Sequence, residues 1–138
     1  AKKVHDFLTV GCAAPLQEAV IPGLEFGQDY YDDLLAKYTH KKDLFLKGLD
    51  DLHISHNDPE GAYYVLLDIR EYGYESDLQF CKNLAREVGV GAVPGSSFFR
   101  EPVNHLIRFH FAKKDETLLN ALNRLESLRA KIPSRKRN

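Results

Sequence analysis

Arg108 and His110 stand two residues apart in "HLIRFHF" (105–111), so any strand here carries a guanidinium and an imidazole on one face. A guanidinium mounted on a strand rather than a loop can grip a carboxylate through two parallel N–H bonds. An imidazole beside it can accept or donate a hydrogen bond, or exchange a proton near neutral pH. Ile107, Phe109 and Phe111 share the opposite face with His105, and that face reads as core. An arginine on a polar strand face is also what plain solvent exposure produces. Taken alone, these residues license a small-anion site, with His110 packing and hydrogen-bonding beside it.

Just upstream, "GAVPGSSFF" (91–99) is a glycine-rich turn with paired hydroxyls at Ser96 and Ser97. Pro94, Gly95 and Ser96 are ordinary turn residues, yet a turn of this kind can lie over a small ligand. "HISHND" sets His53 and His56 near Asp58, but histidines three apart in a turn, with no third ligand placed, do not make a metal site. Tyr63 and Tyr64 alternate across their strand, so one of them is expected in the core. Cys12, beside Gly11 near a helix start, lacks a His or Asn partner and reads as inert.

These residues need elements to hold them. Pro15 suits the first turn of a helix over "APLQEAVI", with Glu18 close behind it. "IPGLEFGQ" (21–28) reads as punctuation. A long helix is predicted from Asp29 to about Leu49, with Tyr30, Leu34, Leu35, Tyr38, Phe45 and Leu49 recurring at threes and fours. After the turn residues of 54–62, "AYYVLLDI" (62–69) reads as a central strand. Ser76 is placed to cap a helix over 77–89 that Gly89 closes. A short strand over 90–99 runs into the Pro-Gly turn, the arginine strand spans 104–112, and an amphipathic helix covers 114–132. Its stripe is Leu118, Leu119, Leu122, Leu125 and Leu128. The order predicts an α+β fold, a small and mostly antiparallel sheet covered by helices. "PSRKRN" (133–138) reads as a disordered basic tail.

The chain has 138 residues, enough for one domain with a proper core. A formal charge of −1 gives no field for nucleic acid or an anionic membrane, and no apolar run approaches a membrane span. Two cysteines make neither a disulfide framework nor a metal cluster, so the cytoplasm is the expected compartment. The sequence contains no methionine, which fits a piece of a longer protein.

Taken together, "KVHDFLTVGCAAPLQEA", "EGAYYVLLDI", "LAREVGVGAVPGSSFF" and "HLIRFHFA" before a Leu-rich helix resemble a known family in content and order. They look like the C-terminal small domain of a class I/II, fold-type-I pyridoxal-phosphate aminotransferase, of the aspartate and kynurenine aminotransferase kind. The resemblance runs from about Lys2 to Ile132. It implies that Arg108 grips the α-carboxylate of an amino-acid or 2-oxo-acid substrate, and that Pro94, Gly95 and Ser96 border the active-site entrance. It also implies that residues 1–27 form an interdomain and dimer-interface segment, in which Thr9, Val10 and Gly11 approach the partner subunit of a homodimer. Some kynurenine-handling relatives carry larger side chains where Gly11 stands. The family's Schiff-base lysine belongs to a Ser-x-Ser-Lys-like stretch that this sequence lacks. Pyridoxal phosphate, the electron sink of the reaction, would therefore be held by a large N-terminal domain. No catalytic and no cofactor-binding residue is expected in this chain, which should be inactive alone. A stand-alone carboxylate sensor, a lyase of the same fold, or the effector half of a regulator with that fold are the alternatives.

Overall fold

The computed structural model describes residues 3–5 and 11–132, which fall into two compact units divided between Ala36 and Lys37. The first unit holds helix α1 (Ala14–Leu24) and the start of helix α2 (Gln28–Asp51). Pro15 occupies the first turn of α1, as its fixed φ suits. The helix does not stop at "IP" but runs through Pro22, whose helical φ is tolerated because the lost N–H falls close to the helix end. None of its residues is buried. The rings of Phe26 and Tyr30 lie 4.3 Å apart in the connection to α2.

The second unit contains the sheet. Strand β1 (Tyr64–Asp68), strand β2 (Val93–Pro94) and strand β3 (Leu106–His110) form a three-stranded antiparallel sheet in the order β1-β3-β2. The α+β class and the antiparallel sheet are as the sequence predicts. The strands are shorter than their apolar runs, and β2 keeps only two paired residues. Pro94 has no N–H to give a further neighbour, so β2 is an edge and passes at once into a 3₁₀ turn over Gly95–Ser97. The outer side of β1 is covered by segment 55–57: Asn57 N–H donates to the Leu66 carbonyl at 3.1 Å and Asp68 N–H to that of Ser55 at 2.8 Å.

Helix α3 (Asp77–Asn83) starts where expected, with Ser76 Oγ accepting from Gln79 N–H at 3.3 Å. Its last turn widens into a π-helical turn over Leu84–Val88, and Gly89, at φ 77°, closes it by donating to the Leu84 carbonyl. The predicted C-terminal helix is broken into helix α4 (Asp115–Leu125) and helix α5 (Leu128–Lys131). At the break, Ser127 Oγ donates to the Arg124 carbonyl at 2.8 Å, a local bond that competes with the helical ladder.

Alternation sorts the sheet into two faces. Val65 and Leu67 of β1 and Ile107 and Phe109 of β3 point into a core completed by Phe45 and Leu49 of α2, Phe80 of α3, and Leu118, Leu122 and Leu125 of α4. Each such side chain is worth about 1.5–3 kcal/mol of transfer free energy. Only the later part of the α2 stripe is buried, through Phe45, Leu46 and Leu49; Tyr30, Leu34 and Leu35 are exposed. Leu119 is likewise 54% exposed, one residue off the buried stripe of α4. The opposite sheet face carries Tyr64, Leu66, Arg108 and His110, and neither Tyr63 nor Tyr64 enters the core: Tyr64 is on this face, and Tyr63 precedes β1 and is 40% exposed. No helix among the described residues is long and apolar enough to cross a membrane.

Candidate functional site

Arg108 occupies the middle of the central strand, opposite Leu66 of β1 on one side and Val93 of β2 on the other. Both neighbours restrain its backbone, so the side chain leaves from one of the most fixed points of the unit. Its guanidinium carbon lies 4.1 Å from the centre of the Tyr64 ring and 3.8 Å from that of Phe98. The cation thus lies over two aromatic faces, each contact worth about 0.5–1 kcal/mol. A guanidinium against aromatic rings keeps N–H donors for other groups. No carboxylate among the described residues lies within ion-pair distance of Arg108. Arg108 lines a cleft of about 350 Å³ with the Asn57–Gly61 turn, Glu60 included, and the Phe98-Phe99 pair. A half-buried, oriented guanidinium at such a cleft can receive a carboxylate through two parallel bonds.

The turn that delivers Phe98 is held from two sides. Gly95 lies against β3 so closely that a Cβ would stand 2.5 Å from the Leu106 carbonyl oxygen, which accounts for glycine there. Ser96 is tied to Asp77, whose Oδ2 accepts its N–H at 2.7 Å and whose Oδ1 accepts its hydroxyl at 3.0 Å. Phe98 N–H then closes on the Gly95 carbonyl at 2.9 Å. Pro94, Gly95 and Ser96 are therefore joined to Arg108 through Phe98.

His110 follows on the same strand face and is exposed. Partial burial first, then the charges of Lys113 and Arg108, depress its pKa below the usual 6.5, so the ring favours its neutral form. Tyr64 hydroxyl donates to that of Tyr63 at 3.2 Å. His53, His56 and Asp58 do not converge on one point: His53 Nδ1 is 3.0 Å from the Asp50 carbonyl, His56 Nε2 is 3.1 Å from the Asp50 side-chain Oδ1, and Asp58 pairs with Lys42. Gly11 and Cys12 are exposed and belong to the other unit, whereas Thr9 and Val10 lie outside the described residues, as do residues 133–138.

Sequence reasoning missed Tyr64, Phe98 and Asp77. Tyr64 becomes legible with the register, since Leu66 opposite Arg108 sets Tyr64 one diagonal away. Phe98 stands within the quoted turn motif, but nothing in its type tells which ring reaches the arginine. Asp77 stands in the first turn of α3, and only 2% of it is exposed.

The described unit is an α+β domain that mounts an arginine against two aromatic rings on its central strand, beside a Pro-Gly turn. The model of the family "Aminotransferase class I and II" matches residues 1–125, and the chain belongs to that family. It is 37% identical over 128 residues to the methionine aminotransferase of Escherichia coli (strain K12), covering 92% of this chain and 33% of that protein. Among solved structures, the N-succinyldiaminopimelate aminotransferase of Mycobacterium tuberculosis superposes with a TM-score of 0.78 at 34% identity, over 89% of this chain and 33% of that one. An aspartate aminotransferase from Thermotoga maritima gives 0.74 at 28% identity, over 91% and 31%. The chain spans about a third of the length of the relatives it matches. The family depends on pyridoxal phosphate, and the Arg108 cleft does not fit that cofactor. It offers one cation and no lysine amine, so it can take a carboxylate but not a phosphate and a Schiff-base carbonyl together.

Proposed function

We propose that this chain is the C-terminal small domain of a pyridoxal-phosphate-dependent aminotransferase, and that Arg108 holds the α-carboxylate of the amino acid and then of the 2-oxo acid. The observation that carries the reading is the guanidinium held over the Tyr64 and Phe98 rings, with no carboxylate in ion-pair contact among the described residues. An arginine has many rotamers in water; contacts with two rings remove most of that freedom before substrate arrives. What remains is to desolvate the N–H donors and exchange water for a carboxylate, which fixes two atoms of the substrate and so orients its Cα. Pro94, Gly95 and Ser96 then form the rim of the cleft. The cofactor and its lysine belong in this reading to a large N-terminal domain. Residues 1–27 lead from that domain, with Thr9, Val10 and Gly11 near the second subunit of a homodimer. The family membership and the names of the relatives support amino-group transfer; the choice of donor rests on residues elsewhere.

The test is Arg108→Gln in the full-length protein, assayed for amino transfer with a panel of amino donors and 2-oxo acids. Loss of a bidentate, charge-assisted contact should cost about 2–4 kcal/mol in transition-state binding, and kcat/KM should fall by about two orders of magnitude. A change of less than about threefold in kcat/KM would remove Arg108 from the site.

A further inference from the structure

Asp77 is the one charged or polar residue that is buried among the described residues, at 2% exposure. A buried carboxylate is costly unless its oxygens are fully used. Start of helix α3 does not explain it, since Ser76 Oγ already accepts from Gln79 N–H. Asp77 Oδ1 takes the Leu78 N–H of its own helix at 2.8 Å, but two of its three bonds reach nineteen residues along the chain, to the N–H and hydroxyl of Ser96. Burial first, and then the charge of Asp77, push the neighbouring Cys81 thiol up to about 11.

The bonds to Ser96 have a consequence beyond the turn itself. Gly95 is pressed on the β3 backbone and Ser96 is pinned to α3, so the first two residues of the 3₁₀ turn are anchored to different elements. The next residue but one is Phe98, whose ring lies against Arg108 at 3.8 Å. The Tyr64 ring lies against Arg108 from β1, a strand that the sheet already holds. Phe98 has no such strand beneath it, and its placement depends on the turn. We propose that Asp77 is a positioning residue for the arginine, acting through the Ser96 clasp and the Phe98 ring to set the plane in which Arg108 meets a carboxylate. The proposal rests on the carboxylate reading of Arg108.

A merely structural role for Asp77 would act on the fold and be indifferent to Arg108. A positioning role disappears when there is no guanidinium to position. The experiment is therefore a cycle in the full-length protein: Asp77→Asn, Arg108→Gln and the double variant, with KM and kcat for the amino donor and a melting temperature for each. Asp77→Asn keeps the volume but leaves one of the three N–H and O–H donors without its acceptor. It is expected to lower kcat/KM about tenfold, mainly through KM. In the Arg108→Gln background the same substitution should change kcat/KM by less than about twofold. Ser96→Ala, which removes one bond of the clasp and leaves Asp77 in place, should act in the same sense and less strongly, and it carries the test if Asp77→Asn does not fold. An equal loss with and without Arg108, or none with it, overturns the proposal. If Arg108→Gln itself changes kcat/KM by less than about threefold, the carboxylate reading fails and the proposal falls with it.

Discussion

Gly95→Ala puts the site under the most direct mechanical stress. The added Cβ would stand 2.5 Å from the Leu106 carbonyl oxygen and 3.0 Å from its carbonyl carbon and Cβ, where ordinary contact begins at 3.4 Å. Something must move by about 0.9 Å. Leu106 opens the central strand and pairs with Asp68, so the sheet resists; the turn is the softer body. Forcing one methyl into such a contact costs about 1–3 kcal/mol. The displaced turn draws Phe98 from Arg108, which forfeits a stacking contact of about 0.5–1 kcal/mol and tilts the guanidinium. A misplacement near 1 Å at a substrate-orienting group can cost about 100-fold, so kcat/KM for the amino donor should fall between about tenfold and 100-fold. The melting temperature should fall by at least about 2 °C. Gly91→Ala is the control, because a Cβ there meets open space, and it should leave both measurements alone. Wild-type kcat/KM and melting temperature for Gly95→Ala would refute the claim that the turn is braced on β3.

Asp115 begins helix α4 and pairs with His40 Nε2 at 2.9 Å and Lys41 Nζ at 3.0 Å, and these two partners hold its carboxyl below the usual 3.8. A depressed carboxyl contributes stability that is present above 3.8 and lost as pH falls through the lower folded value. Asp115→Asn should therefore lower the melting temperature at pH 7, and the gap from wild type should close below about pH 4; a gap that persists unchanged into acid would contradict the pairing. Cys81 is 6% exposed and its thiol is raised to about 11, by burial first and then by Asp77. Iodoacetamide at about pH 8 should leave Cys81 unmodified in the native protein and alkylate it in denaturant, as read by peptide mass mapping. Equal labelling in both states would show that the core around α3 opens readily.

The two faces of β3 were legible because alternation is a local property: Ile107, Phe109 and Phe111 are buried as their spacing demands, and Arg108 falls on the other side. The Ser76 cap and the Gly89 stop were legible for the same reason, each needing only its own turn of helix. What failed depended on a distant partner in one case and on a local competition in the other. Whether Leu119 or Leu118 is covered is decided by where α4 meets the sheet, and the periodic stripe admits both. The break after Leu125 depends on Ser127 choosing a carbonyl over the helical ladder, a competition that a leucine stripe does not register.

The same distinction separates Arg108 from the residues that orient it. An arginine inside an apolar strand violates the pattern around it, so it advertises itself. Tyr64, Phe98 and Asp77 violate nothing: a tyrosine suits a strand, a phenylalanine follows a turn, and an aspartate opens a helix. Their work is done by register and by a clasp spanning nineteen residues, both of which exist only after the sheet has formed. Placing this guanidinium therefore needs the strand to supply the cation and the tertiary fold to supply its direction. A chain that kept "IRFHF" but lost the clasp would still carry the charge, with the guanidinium freer to turn.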